Sequence, residues 1–555
     1  MKNLILILMI LVSPLISEEI NKIQIPYLMQ SGDFDKSLTL YEQYKAQIGR
    51  HDFELLGQAC QIILEQGAKS DDSEKQLLSI YGAGIAGITS CIDLLENTIT
   101  ASALQIQMAS IQILSQMQDD RADELLTKAM SSDHFGVRME AAYQLSVRKH
   151  IKAVGYIESL MHRLPPQLRF FFPQFFALIG TKEAVNILKL MMNDKEVQTR
   201  IEAVLNAARF GRDDLLPTIR ANVTHVNIPE QESCAFALGA LKDSKSIPKL
   251  KTLIKSPNTN VKLAALRSLH MLGDTAIDQE IIEMAKAKDL FAIAILGDIN
   301  NSEEVLAELS KSEDLQVKYN AAIALLQKKD NRCIEPILEI LIRDVRDLGF
   351  FPNPSHGKSL TAWKVITSAR QHIKEYPYDL YAVSLALREH LLKQCLELKE
   401  KEFLLIADLV FESKQTSLIP LLVRLLENLQ TPEAKNLLQH KAQKAGAPLI
   451  RAYSNLAAFR LNMGGGHEKT LKQWIQDQKN NEMIRFRPAL PFDIRLPDTS
   501  FELTPEESSL LLIESYEALA ARHEEGCIDI LLKTLKEGNP KNRCVIAGLI
   551  LKSIE

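Results

Sequence analysis

The chain has 555 residues and a formal net charge of −5 at pH 7, and 46% of its residues are hydrophobic while only 6% are aromatic. This length exceeds what one core of ordinary shape can organise, whereas a repeat protein has no such limit. The negative charge argues against a nucleic-acid-binding protein, and the apolar residues, which include much Leu, Ile and Ala, suit stacked helices better than sheets.

The first 17 residues are predicted to be an export signal. Lys2 provides a positive charge, residues 4–12 form an unbroken apolar run, and Ser13 and Pro14 interrupt it. This run is too short for an ordinary transmembrane span, and we expect cleavage close to Ser17. The alternatives are an uncleaved anchor and an ordinary N-terminal helix. Export predicts a periplasmic location, with the extracellular space as the alternative.

Residues 18–105 are predicted to be helical but lack the regular spacing of the residues that follow. The segment 32–38, together with Tyr41 and Tyr44, resembles at best one helix pair of a tetratricopeptide repeat. We interpret this region as an N-terminal helical cap.

From residue 106 to 345 the chain repeats one pattern at a step of 31 residues. The anchor pairs are Ile106-Gln107, Val137-Arg138, Leu168-Arg169, Thr199-Arg200, Glu230-Gln231, Val261-Lys262 and, after one irregular unit, Val317-Lys318. Small or aliphatic residues follow four, five and eight positions after most anchors, as Ala141, Ala142 and Leu145 follow Val137. Offsets of four and eight lie on one face of a helix, so each anchor predicts a helix.

A second helix is predicted in each unit. Polar residues such as Asp194 and Ser312 stand where they could cap the first helix, and Pro217, Pro248 and Pro336 fall near the start of the second, where a missing N–H costs little. One helix pair cannot bury its apolar face alone and must stack on its neighbours. The predicted fold is therefore an all-α solenoid, a superhelix of stacked antiparallel helix pairs.

This order of cap, Val-Arg, Ala-Ala, Leu and Gly-Asp turn resembles the HEAT-like repeats, in particular the short phycobilisome-lyase-like subclass. Residues 137–142 are the best match, and residues 417–422 and Ile450-Arg451 continue the pattern faintly. Leu168-Arg169 departs from it, because three Phe residues and Pro173 follow. The resemblance implies a shared fold and, for most members, binding to other proteins. Lyase members attach bilins, but no bilin pocket is recognisable in this sequence.

Beyond the regular array the spacing loosens. Residues 346–361 are predicted to be a loop or insertion, residues 362–482 irregular helical repeats, and residues 483–505 a proline-rich extended segment. Residues 506–555 are predicted to form a C-terminal helical cap.

Two sets of basic residues are candidate binding groups. Arg138, Arg169, Arg200, Lys262 and Lys318 occupy one slot of successive repeats. They could grip an anionic partner, but we favour a structural ladder in which each cation bonds to groups of the adjacent turn. Lys245, Lys249, Lys251 and Lys255 belong to a local basic excess. We expect these four to line the solvated side of one helix, with contact to a partner or a membrane surface as the alternative.

Aromatic residues are scarce, so two groups of them stand out. Phe350, Phe351 and Trp363 flank the insertion, and Phe486, Phe492 and Phe501 lie in the proline-rich segment. Apolar residues of this kind either plug the concave side of a solenoid, which we favour, or contact a partner.

No catalytic, cofactor-binding or metal-binding residue is assigned. Residues 464–470 lack the Gly-Lys order and the preceding strand of a phosphate-binding loop and are predicted to be a turn. His467-Glu468 and His523-Glu524 are too few for the iron site that one HEAT-like enzyme family builds. The seven cysteines show no metal-site spacing, although a disulfide between Cys527 and Cys544 is conceivable in an exported protein.

The sequence thus predicts an exported, non-enzymatic scaffold that binds one or more proteins and needs no cofactor. A lyase-like enzyme on the same solenoid and a membrane-surface-binding protein are the alternatives.

Overall fold

The computed structural model describes residues 21–87, 91–343, 349–352, 363–366, 380–413, 415–485 and 505–555. The predicted export signal and most of the proline-rich segment, including Phe486, Phe492 and Phe501, lie outside these ranges. Within them, no helix combines the length and the apolar character needed to cross a bilayer.

The described chain is helical apart from one short hairpin. The helices of the first half are α1 (Gln24–Gln30), α2 (Phe34–Ile48), α3 (Phe53–Ala68), α4 (Ser73–Ala86), α5 (Ile92–Thr98), α6 (Leu104–Gln116), α7 (Asp120–Ala129), α8 (Phe135–Val147), α9 (Ala153–His162), α10 (Pro173–Ile179), α11 (Lys182–Met191), α12 (Val197–Arg209), α13 (Leu216–Asn222), α14 (Ile228–Ala240), α15 (Ile247–Leu253) and α16 (Thr259–Met271). The remaining elements are α17 (Asp278–Lys286), α18 (Leu290–Ile295), α19 (Glu303–Leu309), α20 (Leu315–Gln327), α21 (Ile334–Ile342), β1 (Gly349–Pro352), β2 (Trp363–Ile366), α22 (Leu380–Gln394), α23 (Glu400–Glu412), α24 (Ile419–Leu429), α25 (Pro432–Lys444), α26 (Pro448–Arg460), α27 (His467–Gln478), α28 (Pro505–Ala520), α29 (Glu525–Glu537) and α30 (Arg543–Ile554).

The predicted helix pairs of the array are confirmed. In every unit except the Leu168-Arg169 copy, a first helix carries the anchor, and a short 3-10 turn often leads into the second helix, as Ser244–Ser246 leads into α15. First helices pack on first helices, so α12 contacts α14 and α14 contacts α16. After the Val261 anchor, Ala265, Leu266 and Leu269 are fully buried in this contact. Burying one such leucine contributes about 1.5–3 kcal/mol, which is why an isolated pair cannot be stable.

The Leu168-Arg169 copy departs from the array as its sequence suggests. It lies in a 3-10 helix, Pro166–Phe171, and α10 begins only at Pro173. Proline lacks the N–H that an α-helix continuing through residue 173 would have to donate to residue 169. The chain therefore tightens first and restarts its α-helix with Pro173 in the first turn.

The chain divides into two compact units. Unit 1 comprises Met1–Val137, Lys472–Phe486 and Leu512–Glu555, and unit 2 comprises Arg138–Leu471 and Arg487–Leu511. The regions that we interpreted as an N-terminal and a C-terminal cap thus belong to one unit.

Helix α30 packs against α3 and α4 in unit 1. The backbones of α4 and α30 touch at two glycines: a Cβ atom on Gly548 would lie 2.1 Å from the carbonyl oxygen of Gly82. A Cβ atom on Gly82 would in turn lie 2.3 Å from the carbonyl oxygen of Cys544. Only glycine permits this approach.

Ion pairs surround the glycine contact of unit 1. Asp35 accepts from Arg543 at 2.9 Å, Glu74 lies 3.3 Å from the Lys541 ammonium, and Glu42 pairs with Lys536. On the α29 side, Asp529 accepts from both Lys45 and His51. Charged side chains from the two ends of the sequence therefore meet pairwise in this unit.

The insertion contains a two-stranded antiparallel hairpin in unit 2. Phe350 pairs with Val365, Phe351 with Lys364 and Pro352 with Trp363. Residues 349–352 thus form a strand within the predicted loop or insertion, and residues 363–366 form a strand where irregular helical repeats were predicted for 362–482. Aromatic and β-branched residues in the two segments favour such paired strands. Strand β1 contacts α22 and β2 contacts α20, so the hairpin lies against helices on both sides of the insertion.

Candidate protein-binding surface

The basic anchor residues stabilise the stack. Arg200 donates to the carbonyl oxygens of Asp194 at 2.6 Å and Lys195 at 3.0 Å, and it pairs with Glu230 of the next unit. Glu230 is buried, and its hydrogen bond raises the pKa of the Arg200 guanidinium. A charge that is held this closely is not available to a partner.

Three further anchor cations also form ion pairs. Arg169 lies 3.4 Å from Asp194, Lys262 pairs with Glu280 and Lys318 pairs with Glu339. The structural ladder is therefore confirmed for Arg169 and Arg200. Lys262 and Lys318 are also engaged, but they pair with the second helix of their own unit and not with an adjacent turn.

The anchor slot recurs far beyond the regular array. Arg451 donates to the carbonyl oxygens of Ala445 at 2.6 Å and Gly446 at 2.8 Å. Arg200 contacts the carbonyls at the same offsets of six and five residues before it. The faint continuation of the pattern at Ile450-Arg451 is thus a true copy of the slot.

A second ladder, which the sequence analysis did not predict, joins α13 and α15 to the turn of the next unit. Asp243 receives two hydrogen bonds of 2.7 Å from Arg220, and Asp274 lies 2.9 Å from the Lys251 ammonium. Both partners advance by 31 residues from one pair to the next. The Arg220 hydrogen bond holds the pKa of the Asp243 carboxyl below its usual range. This second ladder could have been predicted from the sequence, because Asp243 and Asp274 each stand thirteen residues after an anchor.

The four candidate lysines do not share one side of one helix. Lys245 lies in the 3-10 turn before α15, Lys249 and Lys251 lie on α15, and Lys255 follows its last residue. All four are exposed, but Lys249 donates to the carbonyl oxygen of Arg220 at 2.6 Å, and Lys251 belongs to the second ladder. Their exposure agrees with the expected solvated side, but the expectation that one helix carries all four is wrong, because α15 is only seven residues long.

Phe350, Phe351 and Trp363 are brought together by the hairpin, whose register sets β1 opposite β2. The structure describes their backbone and not their side chains. Whether these aromatics plug the solenoid or meet a partner stays a prediction.

The structure adds three exposed apolar side chains on two helices that pack together, Ile342 on α21 and Leu405 and Leu409 on α23, which we call the apolar strip. Helices α21 and α23 pack against each other, and these three side chains are 41%, 51% and 41% exposed, respectively. Leu405 and Leu409 are four residues apart and share a face of α23. Its opposite face buries Phe403 and Ile406. Sequence reasoning missed the strip because both faces of α23 are apolar.

Lys441 forms ion pairs with two acidic residues on the helix that carries Leu405 and Leu409. Its side chain is only 4% exposed and bonds to Asp408 at 2.8 Å and also to Glu412, both on α23. The aliphatic pair on α23 therefore lies on a helix that is anchored to α25, which makes the strip a preformed surface.

A cavity of about 250 Å³ in unit 1 is lined by ionisable groups, which include Asp72, Lys75, Lys541, Arg543 and Cys544. Two of its cations are engaged: Lys541 lies 3.1 Å from Glu482, and Arg543 pairs with Asp35. Burial raises the pKa of the Cys544 thiol to about 11, so this thiol is protonated at neutral pH. Cys544 is not disulfide-bonded, and the conceivable bridge to Cys527 is therefore not formed.

The two His-Glu pairs lie in separate local environments. His467 is buried at the start of α27, directly after the predicted glycine-rich turn, and its Nδ1 lies 2.8 Å from the Asn455 side-chain oxygen. The Nδ1 of His523 lies 2.9 Å from the carbonyl oxygen of Ser553. Each imidazole thus contacts a neighbouring helix or its end.

The stacked helix pairs and their ion pairs define an all-α solenoid. Solved structures similar to the chain include the complex of CpcE and CpcF of phycocyanin lyase from Nostoc sp. PCC7120, at 18% identity over 39% of this chain and 92% of that one, with a TM-score of 0.30. UNC-45 from Drosophila melanogaster is 12% identical over 93% and 79% of the two chains, with a TM-score of 0.33. Kap95p in its complex with RanGDP is 11% identical over 92% and 80%, also with a TM-score of 0.33.

No protein-family model matches the sequence, and no curated protein matches it at a significant level. The fold class therefore stands on the helices and ladders of this chain.

Proposed function

We propose that the protein is an exported, non-enzymatic scaffold that binds another protein through the apolar strip of unit 2. The observation that carries this proposal is the exposure of Leu405 and Leu409 on one face of α23, beside Ile342 of α21. Burying each of these side chains under a partner would contribute about 1.5–3 kcal/mol. Such residues form the centre of a protein interface, around which weaker contacts exclude water.

Two features support a protein as the ligand. The strip is aliphatic, and the charged groups on the same helix, Asp408 and Glu412, are already bonded to Lys441. A small polar substrate would find no converging donors there, whereas an apolar patch on a partner would match it. The helix pairs beneath it are rigid, so binding would not require them to order first.

Export and a periplasmic location are part of the proposal and depend on residues 1–17. The test is to fractionate cells that produce the full chain or a chain lacking this segment. We expect the full chain in the periplasmic fraction and the shortened chain in the cytoplasm. If the full chain and the shortened chain both stay in the cytoplasm, export is refuted, whereas the binding proposal is unaffected.

The binding proposal can be tested with a photo-crosslinking amino acid placed at Leu405 in the native host. We expect one discrete crosslinked product, which mass spectrometry would identify. The control position is Ile151, which is 66% exposed in the same unit but far along the sequence from the strip.

A double variant, Leu405→Ser with Leu409→Ser, should weaken binding of the identified partner by about 30-fold or more, equivalent to at least ~2 kcal/mol. Its far-UV circular dichroism should match the wild type, because both side chains face solvent. Unchanged affinity in a folded double variant, or an equal crosslink at Ile151, would contradict the proposal.

A further inference from the structure

One edge of unit 2 collects the connections that lead from each second helix to the first helix of the next pair. Because first helices stack on first helices, these connections follow one another along a single edge of the stack. We call the residues 162–171, 189–197, 221–230, 254–262 and 286–291 the connection edge.

The exposed charges of the connection edge are positive. Arg163, Lys189, Lys195, Lys255 and Lys288 are all exposed, and no Asp or Glu within these five connections is. Among the described residues, the ammonium groups of Lys189, Lys195 and Lys255 have no ion-pair partner. These charges therefore act together on whatever faces the edge.

Three of the four acidic residues of the same connections are engaged in local hydrogen bonds or ion pairs. Asp194 accepts the Glu196 backbone N–H at 2.9 Å and pairs with Arg169, and Asp289 accepts two backbone N–H groups at the start of α18. Glu230 is buried under Arg200. The edge is therefore positive at its surface because its basic residues are exposed while most of its acidic residues are engaged or buried.

Large apolar side chains protrude between these cations. Val226 is 91% exposed and Leu190 is 71% exposed, on two successive connections. Phe171 and Ile228 are also exposed. These side chains stand on loops and helix ends, where they project outward rather than line a groove.

The opposite edge of unit 2, formed by the turns within each pair, differs. Lys149, Lys152 and Lys245 are exposed there, but so are Asp213 and Asp214. Apolar side chains are exposed on this edge too, such as Ile151, but its exposed charges are of both signs. Exposed charge of one sign therefore distinguishes the connection edge, although the chain as a whole is negatively charged.

We propose that the connection edge binds an anionic membrane surface. In this arrangement Leu190 and Val226 enter the boundary between headgroups and acyl chains, while Lys189, Lys195 and Lys255 contact lipid phosphates. Protruding apolar side chains among cations are the features by which proteins lie on anionic bilayers. A protein partner would instead have to supply a pocket for each isolated side chain, so a lipid surface fits better.

The test is co-sedimentation of the full chain with vesicles of phosphatidylcholine, either pure or mixed with phosphatidylglycerol. We expect binding to the mixed vesicles only, and its loss at about 1 M salt, where the screening length is only ~3 Å. The triple variant Lys189→Glu, Lys195→Glu and Lys255→Glu should lower the partition coefficient by about 100-fold or more, because each cation near the surface contributes about a factor of five.

A matched control carries Lys149→Glu, Lys152→Glu and Lys245→Glu on the opposite edge and has the same net charge. It should keep most of the binding. Equal losses in the two triple variants would overturn the proposal, as would a wild-type chain that stays in the supernatant with mixed vesicles.

Insertion of the apolar residues has its own readout. An environment-sensitive fluorophore attached to a Val226→Cys variant should shift to the blue on adding mixed vesicles, whereas the same label on an Ile151→Cys variant should not. All seven natural cysteines are buried, which favours labelling at the new thiol. No shift at position 226, or binding to soluble polyglutamate but not to vesicles, would overturn the proposal in favour of an acidic polypeptide ligand.

Discussion

Units 1 and 2 are built from the same kind of helix, but their contacts span very different distances along the chain. In unit 2, Arg200 pairs with Glu230, 30 residues away, and Ser268 bonds to the carbonyl of Ala235, 33 residues away. In unit 1, Arg543 bonds to Asp35 across 508 residues and Lys45 to Asp529 across 484. Unit 2 can therefore form step by step from neighbours, whereas unit 1 requires the two ends of the chain to meet.

This difference implies different sensitivities. A repeat unit that loses one contact keeps those of its neighbours, so damage in unit 2 should stay local. Unit 1 depends on a few long-range contacts, and damage to one of them should release whole helices. Hydrogen exchange followed by mass spectrometry separates the two units, because each contributes its own peptides.

The largest effect is expected from Gly548→Val. The new side chain would collide with the backbone of α4 at Gly82, which cannot move aside as a side chain could. We expect unit 1 to lose about 3 kcal/mol or more, measured as lost exchange protection in peptides covering 73–86 and 543–554. Protection in peptides covering 197–271 should not change.

Gly526 offers a matched control for this change. A Cβ atom at that position on α29 would meet no atom within 4 Å. Gly526→Ala should stabilise the helix by about 0.5–1 kcal/mol. If Gly548→Ala behaves like Gly526→Ala, the close contact of α4 and α30 does not hold unit 1 together.

The next effect concerns the second ladder of unit 2. Asp243→Ala removes a buried carboxylate and leaves Arg220, which now donates two hydrogen bonds to it, without this partner. We expect a loss of about 2–3 kcal/mol, confined to peptides covering 216–253.

Asp274→Ala is the homologous change one unit further. Its partner Lys251 is 56% exposed, so we expect a loss below ~1 kcal/mol in chemical denaturation. Equal losses at positions 243 and 274 would show that burial does not set the strength of this ladder.

A smaller effect is expected from Arg451→Ala, which tests whether the array extends beyond the insertion. The variant loses the hydrogen bonds to the carbonyls of residues 445 and 446, which contribute about 1 kcal/mol. Arg200→Ala should cost more, because it also leaves the buried Glu230 without its cation. If Arg451→Ala leaves the thermal unfolding temperature unchanged, Arg451 does not stabilise its helix pair in the way that Arg200 does.

The smallest effect is a pH dependence of unit 1. The His51 side chain is fully buried; its Nδ1 lies 3.0 Å from the Tyr41 hydroxyl and its Nε2 lies 3.0 Å from Asp529. Burial, and then the Lys45 charge, lower the pKa of His51, while Asp529 opposes them. The folded state therefore favours the neutral ring, and stability should fall as the pH drops below about 6.5, the ordinary histidine value.

Urea unfolding of the intact chain between pH 7 and pH 5, followed by the exchange protection of peptides from unit 1, would measure how the stability of this unit depends on pH. His51→Gln should flatten the profile of unit 1. It should leave unit 2 unchanged, where the buried His467 also has a pKa lowered by burial. A wild-type unit 1 that gains stability as the pH falls would contradict the sign.

Two surface features of unit 2 show what the sequence alone does not reveal. Phe403 and Ile406 are buried, while Leu405 on the same helix is half exposed. Their residue types do not distinguish them, so the apolar strip could only be found once α23 had been placed beside α21. Lys251 and Lys255 likewise look equivalent in the sequence, yet one belongs to a ladder and the other to an exposed edge.

The sequence alone determined the repeat, because small and aliphatic residues at constant offsets specify one helix face, and a face that recurs every 31 residues must be buried against its neighbours. It also favoured a structural role for the anchor cations, because they recur in one slot of successive repeats. Only the tertiary structure decided that the two ends of the chain form one unit. Gly82 and Gly548 carry no pattern that links them, and a contact across more than 460 residues has no local signature.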